Sequence, residues 1–395
     1  YPVEYHHRTK RTGYKAGALD AGLRSATGEL VAIFDADFVP DPGFLERTVH
    51  YFTDPSVGMV QTRWSYLNRS YNLLTEVQAI LLEGHFALEH TARCGSGLFF
   101  NFNGTAGIMR RQMIDDAGGW EHDTLTEDCD LSYRAQLKGW KFIYLPDVAS
   151  PSELPVEIFG FQVQQARWAK GLTQVALKLL PRILRAEIPL RNKIEAFFHL
   201  TPNISYPLMM GVSALILPVM ICRFHVGWHQ MLMLDLPLIA TTSLPIIVFY
   251  LAGQRALDRR GWKRSIAMMP MLIAAGIGLT VINTKAVLEA LFRISTPFAR
   301  TAKYAIRGNS RLRLGRTSYR RKSGMLPFLE IAVGACFLGI VAFAVNTANY
   351  GAIPFLLLFV GGYFWAGFLT LFEEYREKLR WERSRQVAPE PAAEA

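Results

Sequence analysis

Apolar and polar positions follow two regimes along this chain. Up to about Asn192 charged and apolar residues mix as in a soluble domain; from Phe197 to Phe372 long apolar runs dominate, several of membrane-spanning length. In the first regime Val31-Ala32-Ile33-Phe34, apolar and bounded by Gly28 and Pro40, predicts a short buried strand. Val57–Arg63 predicts a second strand and Val3–His7 a third. Helical spacing is predicted after Tyr14, with Ala18, Leu19, Gly22 and Leu23 on one face, and again after Asp41-Pro42. It recurs over Leu73–Ala92, from Thr124 to Gly139, and over Phe161–Leu180. The pattern is that of an α/β unit followed by a helical membrane unit, and 395 residues suffice for both.

Composition changes this picture in one respect. The formal net charge is +10. In a soluble protein that would point to nucleic acid, but here the cations stand beside apolar runs. They therefore read as the positive-inside bias of a membrane protein, with no nucleic-acid partner. Cys94, Cys129, Cys222 and Cys336 lack metal-ligand spacing and read as buried thiols. The opening Tyr1-Pro2-Val3-Glu4 resembles the middle of a domain, so the expectation is a chain truncated at its N-terminus.

The candidate chemistry begins where the first strand runs out. Asp35 and Asp37 stand at i and i+2 there, at the edge where α/β sheets bind ligands. Paired carboxylates suit a hard divalent cation that also holds phosphate oxygens, although a lone Asp-x-Asp is more often a turn or a cap. Lys15, at a helix start, favours phosphate, or is simply solvated. Phe102-Asn103-Gly104-Thr105 lies in a Gly- and Asn-rich stretch that lets a ligand approach the backbone; a hairpin turn at Asn103-Gly104 is the plain alternative. Thr124 and Glu127 have capping-box spacing, so Glu127 and Asp128 are either helix caps or, for Asp128, a general base facing the crevice. Gln164, Arg167 and Trp168 fall at i, i+3 and i+4 and share a helix face. An arginine there can neutralise a leaving diphosphate, and an indole can stack on a sugar ring. The plain alternative is a packed tryptophan and a surface charge.

Asp35-Ala36-Asp37, Thr126-Glu127-Asp128 and Gln164-Gln165-Ala166-Arg167-Trp168 match, in order, the DxD, TED and QxxRW motifs. With membrane helices after them, the chain resembles the inverting, processive family-2 glycosyltransferases, the group of cellulose, mannan and related β-glycan synthases. Lys15-Ala16-Gly17 is similar to the family's nucleotide-contacting KAG segment. Phe102–Thr105 is similar to the loop near the acceptor, with Asn103 where cellulose synthases have Cys. Phe298 to Lys303, with Thr301 between, resembles the FxVTxK gating loop, Arg300 replacing Val.

The resemblance implies a GT-A-like (Rossmann-like) cytosolic catalytic domain over residues 1–178. Interfacial and transmembrane helices would follow over 179–375, with a gating-like loop at 294–305 and a cytosolic tail at 376–395. It implies Asp128 as catalytic base beside Glu127, and Lys15, Asp35, Asp37, Gln164 and Arg167 at the donor. Trp168, Asn103 and Gly104 would lie at the acceptor, and Mg2+ or Mn2+ on Asp37 and Asp35. Partners would be a nucleotide-sugar donor (UDP-glucose or GDP-mannose), a glycan acceptor, membrane lipid and export subunits. The location implied is a bacterial inner membrane. The charge pattern adds four crossings: Phe197–Cys222 out, Met231–Leu251 back, Leu326–Val345 out and Ile353–Phe372 back. Leu179–Leu200 reads as interfacial. Ile266–Ile282 reads as interfacial or re-entrant, because a crossing there would put the ten cations from Arg293 to Lys322 outside. The alternatives are a non-processive enzyme glycosylating a lipid, a transporter with a cytosolic binding domain, and an inactive scaffold. The spans carry too few ionisable residues for a transporter's ion relay, and an inactive scaffold would be expected to have lost Asp37 or Asp128.

Overall fold

The computed structural model describes residues 3–223, 228–296, 302–308 and 323–387, with side chains at 223, 228–232, 234–236, 238–240 and 380–387 outside the description. Phe298 and Thr301 lie outside the described residues. In chain order the elements are α1 (Tyr14–Ser25), β1 (Leu30–Ile33), α2 (Phe44–Thr48), β2 (Val57–Tyr66), α3 (Leu73–Gly84) and α4 (Thr91–Gly95). Next come β3 (Gly107–Arg110), α5 (Arg111–Asp116), α6 (Glu127–Leu137), β4 (Lys141–Ser152), α7 (Ile158–Arg185) and α8 (Leu190–Leu200). The helical half holds α9 (Ser205–Arg223), α10 (Trp228–Leu257), α11 (Met269–Gly278), α12 (Thr280–Leu291), α13 (Leu326–Asn346) and α14 (Ile353–Val387).

The four strands form one mixed sheet in the order β1-β3-β2-β4. β3 runs antiparallel to β1 and β2, and β2 runs parallel to β4. β1 and β2 therefore point the same way, and Ile33 pairs with Gly107 at the edge beyond which Asp35 emerges. The core beneath is aromatic and dense: Phe86, Phe100, Phe102, Met59 and Met109 are each at most 1% exposed. Each such buried side chain contributes about 1.5–3 kcal/mol.

Several expectations need correction. Residues 3–7 form no strand; they are irregular and exposed. The helix after Asp41-Pro42 begins only at Phe44. Asn103-Gly104 is not a hairpin tip, because the strand after it pairs with β1 and β2 rather than folding back on its own approach. Cys222 and Cys336 are exposed, on the outward faces of α9 and α13. The stretch read as one interfacial helix is the end of α7, a break at 186–189, and α8.

Among the described residues three helices are long and apolar enough to cross a membrane: Pro202–Cys222, Leu326–Asn346 and Tyr350–Leu379. Trp262–Gly278 and Thr280–Leu291 form a pair bent by 41°. The chain on both sides of that pair bonds to the α/β unit. Before it, Gln254 on α10 donates to Glu83 Oε2 (2.7 Å) and accepts from Arg69 (2.8 Å). After it, Lys170 Nζ on α7 donates to Ile294 O (2.7 Å) and Thr296 Oγ1 (2.8 Å). Further on, the Tyr304 and Ala305 N–H groups donate to the Glu153 carboxylate. The pair thus leaves the α/β unit and returns to it. The last helix also completes α7: Glu373 Oε1 accepts from the Ile158 N–H (3.0 Å), an end group with no partner inside its own helix. Beside it Gln162 donates to the buried Glu330 (3.1 Å).

Candidate active site

The sheet edge after β1 gathers the acidic and basic residues of the site. Asp35 is fixed at the backbone, its N–H donating to Thr105 Oγ1 (2.8 Å). The Lys15 ammonium, one residue into α1, donates to Asp35 Oδ1 (2.5 Å). Asp37 is paired with Lys303 (2.8 Å), whose Nζ also donates to Glu153 O (2.6 Å). Both carboxylates therefore already sit against a positive charge, the environment a divalent cation would supply. Carboxylates are the donor type a hard divalent cation takes, and each of these two is bonded to its own lysine.

Opposite them stands the start of α6. The N-cap is Thr126, with no side-chain cap bond, and the Thr124 hydroxyl is buried without a hydrogen-bond partner. The Thr124/Glu127 capping box is therefore not formed, and Glu127 and Asp128 are the first two helical residues. Asp128 Oδ1 accepts the local Cys129 N–H (2.8 Å). Gly104, at φ +82°, lies so close that a Cβ there would stand 3.0 Å from Asp128 Oδ2 and 3.6 Å from Lys15 Nζ. Burial, and then the neighbouring Glu127, push the Asp128 carboxyl up to about 7. Burial raises Glu127 as well, against the opposing charges of Lys15 and Arg167.

Helix α7 closes the site. Arg167, Gly171, Gln174 and Lys178 recur at four- and three-residue steps and form one face turned to the segment 121–130. Gln174 Oε1 accepts from the Leu125 N–H (2.9 Å), and Gly171 lies against Thr126. Lys178 bridges Glu121 (2.5 Å), Asp123 (2.8 Å) and Asp130 (2.8 Å). That acidic trio is thus held by Lys178 and by Arg134, which contacts Asp130 at 2.7 Å. Arg167 faces the charges of Glu127, Asp128 and Asp35. Gln164 and Trp168 lie on the same helix, both partly buried.

The structure brings Lys15, Asp35, Gly104, Glu127, Asp128 and Arg167 to one place and pairs Asp37 with Lys303, which was expected in a separate gating loop. Gly171 and Glu153 were not among the expected site residues, and Thr105 was expected only as part of the Phe102–Thr105 loop. Of the first two, Gly171 left a signal, a helical glycine four residues after Arg167. Asn103 is tied to two histidines: its Oδ1 to His90 Nε2 (2.6 Å) and its Nδ2 to His85 Nε2 (3.2 Å).

Residues 30–279 match the model of glycosyl transferase family group 2. The chain is 31% identical over 378 residues to glucomannan 4-beta-mannosyltransferase 1 of Cyamopsis tetragonoloba, covering 93% of this chain and 69% of that one. It is 36% identical over 298 residues to glucomannan 4-beta-mannosyltransferase 2 of Arabidopsis thaliana, covering 73% of this chain and 53% of that one. It therefore spans between about half and just over two thirds of these relatives' length. Among solved structures, the mannosyltransferase PcManGT of Pyrobaculum calidifontis, in complex with GDP-Man and Mn2+, is similar at a TM-score of 0.42 and 20% identity, covering 74% of this chain and 70% of that one. The matched residues take in the DxD and TED carboxylates and the Arg167 helix, and on that match the chain belongs to glycosyl transferase family group 2.

Proposed function

We propose that this chain transfers a hexose from a nucleotide-sugar donor to the growing end of a β-linked glycan, with inversion. One observation carries the reading: the Asp128 carboxyl, raised to about 7, stands at the Gly104 backbone beside the Lys15–Asp35 pair. A carboxylate with a pKa near neutrality is matched to taking a proton from a sugar hydroxyl. As Asp128 takes that proton, the acceptor oxygen bonds to the anomeric carbon on the face opposite the diphosphate. The bond to the diphosphate breaks, and its charge falls to Lys15 and Arg167. Asp35 and Asp37 would hold Mg2+ or Mn2+, which when bound supplies charge neutralisation at the diphosphate. Gln164 and Trp168 would hold the acceptor end.

The names of the relatives make GDP-mannose the first donor to test and UDP-glucose the second. The catalytic side is the cytosolic one, where nucleotide sugars are found. The three apolar helices, with α10 as the return after α9, would cross four times and carry the product outward, the bent pair dipping in from the catalytic side. Membranes holding the protein, incubated with labelled GDP-mannose or UDP-glucose with and without EDTA, test this. The expected result is EDTA-sensitive label in a β-linked polymer. Label confined to a short lipid-linked product would favour the non-processive alternative, and no transfer from any nucleotide sugar would overturn the reading.

A further inference from the structure

The helix that begins as α3 does not end at Gly84. It continues through a π-turn, His85–His90, into α4. Such turns cost regular hydrogen bonding and recur at functional sites. This one packs polar groups into the aromatic core, next to the loop that touches Asp128. Glu89 is their hub. Its Oε2 accepts from His85 Nδ1 (2.7 Å), its Oε1 accepts from Arg93 Nε (3.0 Å), and His199 Nε2 of α8 lies 3.7 Å away. Burial works against the Glu89 charge, yet the hydrogen bond from His85 and the charge of Arg93 hold its carboxyl well below the usual range.

The polarity of the chain of bonds follows from that end. An ionised Glu89 can only accept, so His85 donates from Nδ1. A neutral His85 then accepts at Nε2 from the Asn103 amide, whose oxygen accepts from His90 Nε2–H. Burial pushes the fully enclosed His90 well down, and its Nδ1 has no partner among the described residues, so it stays neutral and the sequence of donors ends there. The Asn103 side chain is thereby held from both ends, while its N–H donates to Gln61 Oε1 (3.0 Å). A second arm runs from the same hub to the helix of Asp128: His199 Nδ1 accepts from the Tyr133 hydroxyl on α6 (2.6 Å). A third bond ties loop to helix directly, the Phe102 N–H donating to Ser132 Oγ (2.9 Å).

We propose that Glu89 is a positioning residue. Through His85 and Asn103 on one arm, and His199 and Tyr133 on the other, it keeps the loop Phe102–Gly104 and the helix of Asp128 in register, so that the base meets the acceptor hydroxyl. Asn103 on this account acts through its neighbours rather than on the sugar. The inference rests on the proposed transferase function.

Reversal of the hydrogen-bond polarity tests it. Glu89→Gln replaces one acceptor by a donor, and Asn103→Asp replaces the amide donor by an acceptor. Glu89→Gln alone sets a donor against a donor at His85 in either tautomer, and Asn103→Asp alone leaves His85 between two acceptors that only an imidazolium can serve. Together they let His85 change tautomer and restore both of its bonds in the opposite direction, while Arg93 and His90 still donate as before. Each single variant should lower sugar incorporation by about tenfold or more while donor hydrolysis falls far less, since the donor side is untouched. The double variant should recover several-fold over the worse single one, and melting temperature should show the same coupling. Absence of coupling in melting overturns the network. Coupled melting with incorporation and hydrolysis falling together overturns the link to the base. A wild-type protein that incorporates no sugar overturns the proposed function instead, and this claim with it.

Discussion

Asp128 ionises against its surroundings, and that has two measurable sides. Its carboxyl is raised from 3.8 to about 7 in the folded chain. The folded state therefore keeps a proton that the unfolded state releases between those values, and stability falls as pH rises across that window. Asp128→Asn removes this cost: its melting temperature should exceed wild type by a few degrees at pH 8 and match it near pH 4. The same substitution should lower glycan synthesis by about 10²–10⁴-fold at unchanged donor affinity, because a base acts on the acceptor only in the transition state. For wild type, kcat/KM should climb with pH with a midpoint near 7. If Asp128→Asn keeps synthesis within a few-fold, its role as base is wrong. At this scale the sequence was informative, because Asp35, Asp37, Asp128 and Arg167 are residue types whose chemistry stands out at motif spacing. Glu89, His85 and His90 were visible only as polar residues in a helical run. Their meaning depends on Asn103, 13 to 18 positions away, and no local pattern encodes that pairing.

Helix α7 is the element on which the site turns. A glycine inside a helix costs about 1 kcal/mol relative to alanine, so Gly171→Ala on an isolated helix would stabilise it. Here the added Cβ would stand 2.5 Å from Thr126 Cγ2 and 2.9 Å from the Thr126 nitrogen. The helix must then move away from the segment that carries Glu127 and Asp128, and Arg167 moves with it. A displacement of about 1 Å can cost roughly 10²-fold in rate. Gly171→Ala should thus insert normally and lose most synthesis, whereas Gly211→Ala, with open space around it on α9, should lose none. Equal activities in purified membranes would show that this packing does not set the site. The helix and the strands β1 and β2 were legible from periodicity. The start of α6 was not, because Thr124 and Thr126 both offer a hydroxyl, and only the packing of Gly171 and Gln174 against this segment decides where the helix begins.

For the whole molecule the decisive geometry is that chain on both sides of the bent pair bonds to the α/β unit. The charge rule had pointed the same way, since it disfavours exporting the cations after Arg293. Single cysteines introduced at Asp258 and at Asn349 should differ: in intact cells the first should react only with membrane-permeant reagents and the second with impermeant ones. Labelling of both from outside would invalidate the four-crossing arrangement. The tie between Glu373 and the Ile158 N–H has a consequence for biogenesis. The two residues are 215 positions apart, which at roughly 5–20 residues per second is about 10–40 s of translation. Throughout that interval the start of the Arg167 helix lacks its cap, and Gln162 waits for Glu330. A nascent chain that has built its catalytic half but not its last helix therefore has an unfinished site. On the proposed function, synthesis would then begin only once the last helix has docked against α7.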